Sequence, residues 1–259
     1  MVKIEKNTTI TVYFVFLLTL FFSYGCHTPK TVYEVTANQY TINEKLTATE
    51  SIEKFVAPYR EHINQEMDSV LCYNAVAQDK SIGKWETNIG NLFAQATFQF
   101  ASPIFQSKFN KKIDACLLNH GGIRAVIPKG NVTVRTAYEI MPFENSVVVV
   151  GLTGKEITDL ATYYLAEKKP HPLYGITIYT DENAEAITKI MIDTTEVEPH
   201  KIYYIATSDY LANGGDSMTF FKDSTIKYDL DYKLRNLFID YFKSVNALPN
   251  LTTQHIITN

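Results

Sequence analysis

Residues 146–165 read SVVVVGLTGKEITDLATYYL. Ser146 to Leu152 form an apolar, β-branched run of strand length, and Thr153-Gly154 supply a turn. Ile157, Leu160, Ala161, Tyr164 and Leu165 then recur at helical spacing. Outward from this strand-to-helix unit the same two periods alternate. Helical stripes fall at Ile52, Phe55, Val56, Tyr59, Ile63 and Met67, at Ile89, Leu92, Phe93, Ala96 and Phe100, and at Leu234, Leu237, Phe238, Tyr241, Phe242 and Val245. Pro58 predicts a kink or restart in the first of these. Strand-like runs lie at 69–77, 115–119, 123–127, 175–181, 187–194 and 201–212, bounded by Gly, Asn, Pro and Asp. Helices interspersed with strands predict one mixed α/β (α+β) domain over 46–259, with helices laid on a sheet.

The 259 residues carry 24 Lys and Arg against 28 Asp and Glu, a formal charge of −4, and no basic run. That balance lacks the cationic footprint of a nucleic-acid binder, so polymeric DNA or RNA is not an expected partner. At the N-terminus Lys3 and Lys6 precede an apolar run from Ile10 to Phe22, too short for the ~20 residues a bilayer requires. A cleaved signal over 1–25 is the reading. Ser23-Tyr24-Gly25-Cys26 is similar to a bacterial lipoprotein box, which makes Cys26 the acylated first residue of a chain tethered to the cell envelope by the polar stretch 26–45. An ordinary secretory signal is the other reading. Cys72 and Cys116 sit in apolar runs without a CxxC pair, which predicts inert buried thiols, with a single disulfide left open.

Three patches bear chemistry. Asn119-His120-Gly121-Gly122-Ile123-Arg124 follows an apolar strand, and its paired glycines allow a close backbone approach while Arg124 offers a planar fork for phosphate or carboxylate. A Gly-Gly turn alone is more often a simple hairpin. Met141-Pro142-Phe143-Glu144-Asn145 interrupts the passage from a short helix into the strand at 146, where Phe143 is either core or an exposed ring. Ser208 to Asp216, SDYLANGGD, ends a strand in a second Gly-Gly turn with a carboxylate just beyond it. Asp216 is either a turn residue or an acceptor for vicinal hydroxyls.

Taken with ETNIGNLFAQA at 86–96, GITIY at 175–179 and YYIATSDYLANGGD at 203–216, these patches resemble the C-terminal domain of the 5'-nucleotidase family. The resemblance covers roughly 46–245. It implies a layered sandwich of helices on mixed sheet that recognises a nucleotide or nucleoside. It further implies that Phe143 and Tyr210 clamp the base, Tyr210 standing where Phe is common. Asn145 and Asn119 would touch the base, Gly175 would border it, Asp216 would accept the ribose hydroxyls, and Arg124 would lie near ribose and phosphate. The family usually has a further arginine just upstream of the ExxxGNL segment, where Ser81 to Glu86 leaves only Lys84 to supply charge.

The family's hydrolytic half needs DxH, GNHD and GHxH motifs for two metals, and none occurs here. The six histidines lie without ligand spacing, and no GxSxG elbow or P-loop is present. The expectation is a nucleotide-recognition component with no catalytic residue, metal or cofactor of its own. A separately encoded metallophosphatase subunit carrying a divalent metal pair would perform the hydrolysis. Stand-alone capture of nucleosides without turnover is the alternative.

Overall fold

The strand at 146 explains the architecture, because its side chains are buried on both faces. Val147 and Val149 enter one apolar cluster, and Val148, Val150 and Leu152 enter another. Alternate residues of a strand point to opposite faces, so a strand apolar at every position needs cover on each side. The computed structural model describes residues 8–22, 37–44 and 46–258. Two compact units are distinguished, Met1–Glu50 and Ser51–Asn259. The first holds α1 (Thr8–Phe22). Among the described residues no helix is long and apolar enough to cross a membrane. Cys26 lies outside the described residues, as does most of the expected tether.

The second unit begins one residue into α2 (Glu50–Met67) and runs on through β1 (Val70–Asn74), α3 (Asn88–Phe109), β2 (Ala115–Leu117), β3 (Gly130–Thr133) and α4 (Val134–Ile140). It continues with β4 (Ser146–Thr153), α5 (Gly154–Glu167), β5 (Leu173–Tyr174), β6 (Ile176–Thr180), β7 (Ile187–Ile192), β8 (Thr195–Glu196) and β9 (Ile202–Ser208). It ends with α6 (Asp209–Ala212), α7 (Thr219–Lys222), β10 (Lys227–Lys233), α8 (Leu234–Ser244), β11 (Ala247–Leu248) and β12 (Ile256–Thr258). The central sheet has the order β10-β4-β9-β2-β5, mixed in direction: β4 is antiparallel to β10 and β9, and β9 is parallel to β2. On one face α3 and α8 bring Phe93, Phe105, Phe238 and Phe242 against Val147, Val149 and Ala206. On the other, α5 brings Ile157, Leu160 and Tyr164 against Val150 and Ile205, together with Ile176, Ile178 and Ile192 of the four-stranded sheet β12-β6-β7-β8. The layered mixed α/β sandwich expected from the sequence is the fold.

The helix starts follow from local chemistry. Thr153 and Glu156 form a capping box in which the Thr153 hydroxyl accepts from the Glu156 amide and the Glu156 carboxylate accepts from the Thr153 amide at 2.7 Å. Thr87 caps α3 by accepting from the Gly90 amide at 3.0 Å.

Several expectations are corrected. The run at 123–127 is not a strand: only Ile127 bridges Gln78, and the Arg124 amide donates instead to the Ile140 carbonyl. Asp209 to Ala212 leave the strand for α6, because the Ser208 hydroxyl accepts from the Leu211 amide and starts a helix there. Pro58 does not restart α2, which runs through it as one helix whose apolar stripe of Ile52, Phe55, Tyr59 and Ile63 is exposed. Cys72 and Cys116, by contrast, are the buried thiols expected and are not joined to each other; burial pushes the Cys72 thiol up to about 11 and the Cys116 thiol still higher.

Candidate functional site

The three patches meet at one end of the inner strands of the central sheet, β2, β4 and β9. Asn119 and Arg124 flank a short 3-10 turn, His120–Gly122, that follows β2. Phe143 and Asn145 lie on the connection between α4 and β4. Tyr210 lies on α6 after β9, and Asp216 sits in the turn beyond it. Because β4 and β9 are hydrogen-bonded neighbours and β9 pairs β2, chain segments about ninety residues apart deliver their side chains to one place. The result is a cleft of about 340 Å³ lined by Asn119, Gly121, Gly122, Arg124, Phe143, Asn145, Tyr210 and Asp216. Phe143 and Tyr210 are 40% and 45% exposed, which excludes a role in the core for either ring.

Hydrogen bonds pre-arrange the polar side. Asp216 Oδ2 accepts from Asn119 Nδ2 at 2.9 Å and Oδ1 accepts from the Tyr210 hydroxyl at 2.8 Å, while the Asp216 carbonyl accepts from the Tyr163 hydroxyl at 2.7 Å. The hydrogen bond to Asp216 raises the Tyr210 phenol above its ordinary value, and burial pushes Tyr163 up to about 12, so both stay protonated donors. Arg124 donates to the Gly121 carbonyl at 3.3 Å, and its guanidinium lies 5.8 Å from the centre of the Phe143 ring. The Tyr210 ring lies against Gly215, where an added Cβ would stand 2.4 Å from the ring carbon Cε1; only glycine permits that approach.

Gly175 does not join this group. It lies between β5 and β6 with φ +82°, pressed against the Asp114 carbonyl, and lines a different cavity with Phe98, Asp114 and Lys201. Its left-handed backbone and lack of room for a Cβ account for the glycine without any ligand. Lys84 also points elsewhere: its ammonium lies 5.3 Å from the Trp85 ring, in a separate cavity of about 620 Å³ lined on one side by Leu251 to Gln254 and Ile256 to Thr258. That larger cavity shares none of the residues of the three patches. Besides Arg124, Lys80 stands at the Gly-Gly turn, its ammonium donating to the Ile123 carbonyl at 2.6 Å; burial, then the repulsion of Arg124, lowers its pKa.

Sequence reasoning also missed the residues that hold the Phe143 loop. Arg235, 6% exposed, donates to the carbonyls of Met141 and Phe143 at 3.4 Å each and pairs with the Glu144 carboxylate. Lys233 donates to the Glu144 carbonyl and the Ser146 hydroxyl at 2.9 Å each, and the Leu234 amide donates to the Asn145 carbonyl. No local pattern marks them, since they stand about ninety positions from the loop they hold and meet it only through tertiary packing. Behind the Gly-Gly turn, His171 Nδ1 accepts from the His120 amide at 3.2 Å, and burial depresses the His171 imidazole to about 4. Among the described residues, no group of three or more His, Cys, Asp or Glu side chains is placed to hold a metal ion.

The fold is a mixed α/β sandwich with an aromatic and polar cleft at the end of its central strands. The profile of the 5'-nucleotidase C-terminal domain matches residues 70–223, more than half of the chain, and the protein belongs to that family. It is 27% identical over 183 residues to an apyrase of Tabanus yao, a match covering 61% of this chain and 32% of that protein. Over 212 residues it is 24% identical to the trifunctional nucleotide phosphoesterase protein YfkN of Bacillus subtilis, covering 72% of this chain and 14% of that protein. The crystal structure of a 5'-nucleotidase precursor from Thermus thermophilus superposes with a TM-score of 0.66 at 23% identity, over 80% of this chain and 42% of that one, a likeness of fold. The chain thus spans a third or less of these two curated relatives.

Proposed function

We propose that the cleft binds the nucleoside part of a nucleotide, and that this chain is the recognition component of a 5'-nucleotidase-type phosphate-ester hydrolase. The observation that carries the reading is the convergence of two exposed aromatic rings, a carboxylate, two amides and a guanidinium on one cleft. Each group suits one part of a nucleoside phosphate. The π faces of Phe143 and Tyr210 suit a base by stacking, and the amides of Asn119 and Asn145 offer both donors and acceptors to its edge. Asp216 accepts hydroxyl donors of a ribose, and Arg124 presents a fork to an anionic oxygen.

Binding energy gathered on the base and sugar, away from the reacting phosphorus, positions a phosphate ester for attack without contributing to the bond-breaking itself. In this proposal the attacking water is activated by a divalent metal pair on a separately encoded metallophosphatase chain, and the residues named here hold and orient. The chain works at the cell envelope, anchored through an acylated Cys26.

Titration calorimetry of the purified chain with adenosine and AMP tests the reading. Saturable binding of either is expected, with no AMP hydrolysis above buffer in Mn, Zn or Co, and metal-dependent phosphate release once a metallophosphatase partner is added. No detectable binding of any nucleoside or nucleotide at millimolar concentration overturns it.

A further inference from the structure

Asp216, the carboxylate assigned above to the sugar, is already engaged on both oxygens by groups of the chain itself: the Tyr210 hydroxyl at 2.8 Å on Oδ1 and the Asn119 amide at 2.9 Å on Oδ2. The Tyr210 oxygen in turn accepts from the Asp216 amide at 3.2 Å, so one phenol closes a ring of bonds with both side chain and backbone of the same residue. Two features hold this arrangement. The Tyr210 ring rests on Gly215, which leaves no room for a Cβ beneath it. Asp216 and Ser217 both adopt left-handed backbone conformations, φ 51° and 62°, which point the Asp216 carboxylate back toward α6 and its carbonyl toward Tyr163.

A carboxylate has about four lone-pair positions, and each donor it already holds withdraws charge and lowers what the next donor gains. A ribose diol arriving at Asp216 therefore meets an acceptor that is partly satisfied. A phenylalanine at 210 would present the same π face and leave Oδ1 open. The sole chemical difference between the two rings is the hydroxyl, and here that hydroxyl is spent on the sugar's acceptor.

We propose that Tyr210 is a specificity-determining residue: its hydroxyl competes with the ribose hydroxyls for Asp216, so the cleft selects the base and discriminates weakly between ribose and deoxygenated sugars. This rests on the reading that the cleft binds nucleosides, and deepens it.

The test is calorimetric titration of the full chain, wild type and Tyr210→Phe, with adenine, adenosine and 2',3'-dideoxyadenosine. Wild type should bind adenosine and the dideoxy analogue within about 3-fold of each other. Tyr210→Phe should raise the preference for adenosine over the dideoxy analogue by about 5-fold to 10-fold, an added hydrogen bond's worth, read as the ratio of the two affinities in the same variant. The side chain is exposed, and a thermal melt matching wild type confirms that the variant is folded. An unchanged preference in Tyr210→Phe overturns the proposal, and so does a fall, which would mean that the hydroxyl orients Asp216 toward the sugar. These results leave nucleoside binding itself standing. Absence of binding of all three ligands to wild type overturns both readings together.

Discussion

The buried guanidinium of Arg235, on the first turn of α8, donates to the backbone carbonyl of Phe143 at 3.4 Å. The ring exposed to the cleft is thus held from the side of the core, through main chain, by a residue 92 positions later. The same guanidinium reaches the Met141 carbonyl and the Glu144 carboxylate and lies 4.1 Å from the Tyr138 ring centre, so one planar group fastens the whole connection from α4 to β4. Lysine has neither the fork nor the flat face to do this.

Arg235→Lys and Arg235→Ala are therefore each expected to lower folding stability by about 1–3 kcal/mol, because the buried Met141 carbonyl loses its charged donor. Nucleoside affinity should fall as well, through the loosened Phe143. Urea denaturation and titration of the same variants check both parts.

The two cleft rings should separate binding from stability. Phe143→Ala and Tyr210→Ala are expected to weaken adenosine binding by about 1–3 kcal/mol, roughly 5-fold to 150-fold, with little change in melting temperature. Phe105, fully buried between α3 and the central sheet, should behave in the opposite way, its change to Ala costing about 3–5 kcal/mol of stability. Comparable losses of stability at all three positions would mean that the two exposed rings serve the fold and not the ligand.

Stability should fall with acidity between the ordinary histidine value and the depressed one of His171. Burial holds this imidazole neutral down to about 4 in the folded chain, with Asp216 opposing the shift and His120 adding to it. Between pH 4 and about 6.5 the unfolded chain binds the proton and the folded chain does not, so stability is full above that window and is lost as pH falls through it. Going from pH 7 to pH 5, wild type should lose about 2 kcal/mol more than His171→Asn, which removes the titrating ring. Urea midpoints at the two pH values measure this, and parallel losses in both proteins would show that His171 is not responsible.

Anchoring is checked at Cys26. Labelled palmitate should enter the native protein and not Cys26→Ala, and the variant should leave the membrane fraction, since several acyl chains at ~0.8 kcal/mol per buried CH₂ hold where none do not. Membrane partition unchanged in the variant would count against acylation at this residue.

Short-range features were legible in the chain. The strand at 146 passes into α5 because β-branched residues, a Thr-x-x-Glu cap and a helical stripe follow one another within twenty residues, and each acts over a few ångströms of its own backbone. The stripes of α3 and α8 were equally plain, and the chemistry of the cleft was visible in Asn119, Arg124, Phe143, Asn145, Tyr210 and Asp216. β10 was hidden, since KYDLDYK alternates charged with aromatic and aliphatic residues as an edge strand does, with only Leu230 buried. The end of the run at 201–212 misled because Ser208 is at once the last residue of β9, paired with Val147, and the cap of α6.

What tertiary structure alone decided is where the long side chains ended. Lys84 turned to Trp85 and Lys80 to the Gly-Gly turn, although the two stand four residues apart, because the segment between them is placed by the packing of α3 and the tail at 251–258 and by no period of its own. Gly175 was set by the carbonyl of Asp114, and Arg235 by a loop ninety residues earlier. The contact of Tyr210 with Asp216 is the clearest case. Six residues separate them, yet their bond depends on a left-handed turn and on a glycine under the ring, and both follow from how α6 leaves β9 once the central sheet is assembled. Propensity and periodicity act along the chain, whereas a hydrogen bond between side chains is fixed by the geometry of everything packed around it.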